Sequence, residues 1–213
     1  MPASKPFSPV VGHTGLALES RVADLRIRLG DLPADILAHH SGASYLDLGP
    51  GHGEFHLSLL GFPILITYPD FHALSSNGDP LPAIKQALLF YYFLTSDGSI
   101  PSGNWLSFAE LPEGRVYATA FQRNTGDLVA KQYNTNLAAF CSTCKTAGGH
   151  PLQLGDAGFY FDALPRLPLA VVYHLGDDEF PSTCKMLFDE STPHHLPTEA
   201  CAILGGMLAR KLL

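Results

Sequence analysis

Leu18, Val22, Leu25 and Leu29 recur at spacings of four, three and four, which predicts an amphipathic helix over residues 17–29 closed by Gly30. A second short helix should follow, with Asp31 as its cap, Pro33 in its first turn and Gly42 beyond its end. From 44 to 71 the pattern changes to short apolar segments broken by Gly and Pro, the texture of strands. Asp79 with Pro80 behind it predicts the start of another helix, running to about Thr95 and stopped by Asp97-Gly98. Leu88, Leu89, Phe90, Phe93 and Leu94 surround its axis, so this helix should be buried on most sides and form the core.

Residues 104–121 read as short strands with a turn at Pro112 to Gly114, and 128–147 as one helix ended by Gly148 and Gly149. Two strands are expected at 167–175 and 180–188, joined by GDDE, and a last helix from near Pro197. Helices and strands fall in separate runs. The expected class is therefore α+β, with a largely antiparallel sheet packed against a buried central helix and with N- and C-terminal helices. The expected organisation is an N-terminal helical segment, 1–43, followed by a single α+β domain, 44–213.

Composition narrows the functional classes. Of 213 residues 46% are apolar and only 15% charged, so the surface is neutral enough to accommodate a protein partner or a second copy of the chain. Net charge is −7 and no basic run could track a phosphate backbone, which argues against nucleic acid. The opening MPASKPFSPVVGH lacks the pattern of a signal peptide, and the longest apolar block, ALLFYYFL, is far short of the roughly 20 residues that span a bilayer. A cytoplasmic protein with reduced cysteines and no membrane partner is the expectation.

The segment YLDLGPGHGEF at 45–55 resembles a nucleotide-binding loop, with Asp47, Gly49, Gly51 and Gly53 at a cofactor and Asp70 as the acid that would hold a ribose. Such a loop works with the helix that follows it, and EFHLSLL leaves only about two turns before Gly61-Phe62-Pro63, short for a parallel crossover. Read as a strand, the same residues alternate, with Phe55, Leu57 and Leu59 facing one way. His52 and His56 would then stand about 13 Å apart, too far to share a metal ion.

CSTC at 141–144 resembles half of a metal or redox site that Cys184 and Cys201 could complete. The same cysteines also fit packing: Tyr133, Leu137, Phe140, Cys141 and Cys144 share one helical face, and Cys184 alternates with Phe180, Met186 and Phe188.

In the C-terminal hairpin GDDE reads first as a turn. A second strand of about 30 Å puts His174, Asp177, Asp178 and Glu179 at one end and Asp189, Glu190, His194 and His195 at the other. Antiparallel pairing brings Arg166 towards that second end, where Pro197 opens a helix. Arg166, Asp189 and His195 are thus the candidates for an anion pocket, with an Arg166–Asp189 ion pair as the structural alternative.

The segments LLFYYFLTSDG, GNWLSFAELPEGRVYATAF and ALPRLPLAVVYHLGDDEFPSTCKMLFD with HLPTEA resemble the bacterial and archaeal domain-of-unknown-function family number 3786 over about residues 40–213. The resemblance implies anaerobic or corrinoid-linked metabolism and brings no established activity. Some relatives carry an added four-cysteine iron–sulfur segment that this chain lacks. The leading expectation is a small-ligand or anion-binding accessory module. A methyltransferase using S-adenosylmethionine and a metal or tetrapyrrole carrier are the alternatives, the carrier using His174 with the GDDE acids or the cysteines.

Overall fold

A computed structural model describes residues 15–213 and resolves them into two compact units. The opening segment MPASKPFSPVVGH lies outside the described residues. The first unit holds the described residues up to Leu57, Phe62–Ser99 and His194–Ile203; the second holds Ser58–Gly61, Ile100–Pro193 and Leu204–Leu213.

The first unit begins with α1 (Gly15–Gly30) and α2 (Ala34–Ser41). Val22, Leu25 and Leu29 are buried, the stripe expected of α1. Pro33 takes the N-cap of α2 in an extended conformation with no side-chain cap bond, so Asp31 is not the cap. Leu32 precedes a proline and is pushed out of the helical region. Gly42 closes α2 in the left-handed conformation (φ 71°), with its N–H donated to Ala38.

The chain then forms an antiparallel meander, β1 (Ser44–Gly49), β2 (His52–Leu59), β3 (Phe62–Tyr68) and β4 (Ala73–Ser75), paired in that order. Phe55, Leu57, Ile64 and Ile66 are buried, and Phe55 meets Phe93 of α3 (Ala83–Thr95) at 5.1 Å between ring centroids. Seven consecutive residues of α3, Ala87 to Phe93, are buried, as expected of the central helix. This helix starts later than Asp79-Pro80 suggests. Ser75 donates its N–H to Asp79 and Leu81 to Ala73, so 79–81 extends the pairing of β4, and Pro80 and Pro82 disfavour helix at the residues before them. Arg21 reaches from α1 to the Tyr91 hydroxyl (2.6 Å) and Arg26 to Gln86 (3.0 Å).

The second unit is built on a five-stranded antiparallel sheet in the order β5 (Trp105–Ser107), β9 (Thr183–Asp189), β8 (Leu167–His174), β7 (Ala157–Leu164) and β6 (His150–Leu152). The central strand β8 is buried along almost its whole length. Its inward row, Leu169, Val171 and Tyr173, lies opposite Phe188, Met186 and Cys184 of β9.

Three sequence expectations change here. Of the strands expected over 104–121 only β5 forms; Ser107 and Glu110 close a capping box, the Glu110 carboxylate accepting from both the Ser107 N–H and hydroxyl at 2.7 Å, and the chain turns through 3-10 helix into α4 (Ala118–Asn124). The single helix expected over 128–147 is two, α5 (Gly126–Tyr133) and α6 (Leu137–Thr146). Asn134 adopts a positive φ of 46° between them and the Asn136 side chain caps α6 by accepting from the Ala139 N–H. Strands β6 and β7 are additions to the sequence reading. The final helix α7 (Thr198–Lys211) starts one residue after Pro197; its residues count with the first unit up to Ile203 and with the second from Leu204.

Candidate functional site

Asp189 ends β9 opposite Trp105 and is fully buried. Its carboxylate accepts N–H bonds from Ser102 (3.0 Å), Gly103 (2.7 Å) and Ser191 (2.9 Å). Burial pushes the carboxyl up, but the hydrogen bonds from Ser191, Ser102 and Gly103 outweigh it and hold the group below the usual carboxylate range. Asp189 thereby ties the segment before β5 to the end of β9. Next to it Asn104 donates to Glu190 at 2.9 Å. Arg166 lies in the turn between β7 and β8, and the register Leu169 with Phe188 puts it at the same end of the sheet as Asp189, as the hairpin argument expects.

The first unit carries the two histidines. His195 is fully buried; its Nε2 lies 2.9 Å from the Ser99 carbonyl, which can only accept, so Nε2 bears the proton. Its Nδ1 lies 3.3 Å from the Ser96 hydroxyl. Both ring nitrogens are engaged in holding the turn after α3. His194 differs. Its Nδ1 donates to Asp97 Oδ2 at 2.8 Å, and both side chains are about half exposed, 57% and 50%. Asp97 Oδ1 also accepts the Ser99 N–H at 2.9 Å, which closes an Asx turn. Hydrogen bonds from Ser99 and then His194 hold the Asp97 carboxyl well below the usual range. His194 is therefore a half-exposed ring with one nitrogen, Nδ1, fixed by an ionised carboxylate. The His40 ring borders this turn, 3.6 Å from where a side chain at Gly98 would begin. Sequence reasoning misses the pair because Asp97 and His194 are 97 positions apart and neither sits in a local motif.

At the other end of the hairpin the connection runs from Leu175 to Ser182, longer than the GDDE turn, and Phe180 is exposed in it instead of packing with Cys184. Asp177 accepts from the Glu179 and Phe180 N–H groups at 2.9 and 2.8 Å, an Asx turn that holds its carboxyl low. Asp178, Glu179 and His174 are exposed.

The glycine loop is a hairpin. β1 and β2 pair antiparallel up to Gly49 with His52, and Pro50-Gly51 makes the turn. Asp47 accepts the Gly49 N–H at 2.9 Å, and no helix follows Gly53, which lies within β2. Gly53 is glycine for packing: a methyl there would stand 2.6 Å from Cε2 of Tyr45. Asp70 is exposed in the turn after β3.

Cys144, Cys184 and Cys201 are buried and Cys141 is half-buried. Burial pushes Cys144 and Cys184 up to about 12 and raises Cys201 as well. Among the described residues no three His, Cys, Asp or Glu side chains come together to hold a metal ion. Among the same residues no helix is long and apolar enough to cross a membrane.

Two antiparallel sheets with helices in separate runs define an α+β protein whose polar clusters cap the ends of strands and helices. The chain belongs to the family described as Domain of unknown function (DUF3786), whose model matches residues 35–211. No curated protein and no solved structure matches the chain.

Proposed function

We propose that the protein is a small-ligand-binding accessory module that receives an anionic group at His194. The observation that carries this reading is the 2.8 Å contact between His194 Nδ1 and Asp97, which fixes an exposed imidazole while leaving Nε2 for a ligand. With both ring nitrogens protonated, Nδ1–H stays on Asp97 and Nε2–H is a charge-assisted donor to a carboxylate or phosphate oxygen. His195, with its two nitrogens on Ser96 and Ser99, holds the same turn. The link to anaerobic or corrinoid-related metabolism rests on the family resemblance alone, not on a residue of this chain.

Titration with inorganic phosphate at constant ionic strength, followed by the imidazole Cε1–H signals in NMR, tests the reading. The signal that disappears in His194→Gln should shift saturably with phosphate, and less so in Asp97→Asn. A His194 signal that moves no more with phosphate than with matched chloride overturns it.

A further inference from the structure

Two cavities of about 260 and 300 Å³ in the second unit share Ala147 as a wall. The smaller is lined by Ser142, Thr143, Thr146, Ala147 and Lys211. The larger is mostly apolar, with Leu60, Phe161, Leu164 and Pro165 among its walls. Lys211 stands where they adjoin: its Nζ donates to the Leu60 carbonyl at 2.5 Å, and a methyl placed on Gly61, which lines the larger cavity, would be 3.5 Å from the same nitrogen.

We propose that Lys211 is a carbonyl-reactive amine and that the adjoining cavities take a small aldehyde or ketone with a short apolar chain, held as an imine. The smaller cavity offers hydroxyl-bearing residues beside the amine, suited to the oxygen of the addition product; the larger offers apolar walls for the chain. An amine attacks a carbonyl only when unprotonated. Lys211 lies in the last turn of α7, where the helix dipole favours the cation, yet burial pulls its pKa below the usual lysine value. In the reaction the nitrogen lone pair forms the C–N bond, the carbonyl π pair moves to oxygen, and a proton passes from nitrogen to oxygen. Loss of that oxygen as water, with the second nitrogen proton, leaves the C=N bond. No oxidant or reductant is needed.

The test is reductive trapping of the full chain with butanal and cyanoborohydride at neutral pH, limited to partial labelling and mapped by peptide mass. Lys211 should label at least about five-fold faster than the exposed Lys131, Lys145 and Lys185. Ala147→Leu, which fills the shared wall, should slow butanal at Lys211 by a similar factor while leaving formaldehyde, which needs no room for a chain, nearly unchanged. Lys211→Arg, which keeps a donor for the Leu60 carbonyl, should label like the exposed lysines alone and melt near the wild-type temperature. Labelling of Lys211 no faster than Lys145 overturns the proposal, and so does equal labelling by both aldehydes in wild type and Ala147→Leu.

Discussion

The backbone N–H of Gly103 donates to Asp189 Oδ2 at 2.7 Å, one of three amides that converge on a carboxylate with no exposed surface. Because its folded-state pKa is depressed, Asp189 contributes stability that is fully present above the unfolded pKa of about 3.9 and is lost as pH falls through the lower folded value. Asp189→Asn turns an NH₂ group towards amide donors and should lower stability at pH 7 by about 2–3 kcal/mol. Urea unfolding at pH 7 and again below pH 4 should show the difference between wild type and variant shrinking as the acid form takes over. A difference that stays constant across that range would rule out the depressed carboxyl.

Tyr45 covers Gly53 on the neighbouring strand, and this contact by itself leaves no room for a side chain there. Gly53→Ala should lower stability by roughly 1–3 kcal/mol through the forced displacement of the ring. In a Tyr45→Ala background the same change should cost much less, since the obstructing ring is gone. Thermal unfolding of the four variants measures the coupling, and additive losses would show that the ring is not the obstacle.

What is legible in the sequence is what local pattern controls. The alternation of Phe55 with Leu57 identifies β2, the Leu18–Leu29 stripe identifies α1, and the long apolar runs on either side of GDDE identify β8 and β9. Helix starts are misplaced where a proline excludes helix at the residue before it, as at Leu32 and Leu81, although the proline itself is in view. The break at Asn134 is hidden because the apolar spacing from Tyr133 to Cys144 continues across it in phase. Ser107 and Glu110 do carry a local signal, the S-x-x-E spacing of a capping box. The site partners carry none: Asp97 with His194 and Gly103 with Asp189 are joined over 97 and 86 positions, and only the fold brings them together.

Tyr173 joins the central strand to the break between α5 and α6. Its buried hydroxyl lies 2.6 Å from the Asn134 carbonyl and 3.1 Å from that of Ala130. Tyr173→Phe keeps the ring against Phe140 but removes the hydroxyl donor to the Asn134 carbonyl, while the Ala130 carbonyl keeps the Asn134 N–H, and should lower stability by about 1–2 kcal/mol. Hydrogen exchange at the Asn134 and Asn136 amides should quicken more than exchange within β8. Uniform quickening would mean that the hydroxyl does not act on the break in particular.

The cysteines give a direct readout of packing against metal chemistry. The thiolate is the reactive form, so a buried thiol held near 12 reacts slowly with disulfide reagents whatever its intrinsic strength. In the native protein at pH 8, dithionitrobenzoate should modify Cys141 first, with Cys144, Cys184 and Cys201 reacting only as the chain opens. Full denaturation should expose all four. Replacing Cys144 and Cys184 by Ala should remove buried volume and lower stability by roughly 1–3 kcal/mol in total, with no metal released. Native reaction of Cys144 as fast as Cys141, or stoichiometric zinc or iron that disappears with the Cys141→Ala/Cys144→Ala pair, would show that these side chains bind or react instead of filling the core.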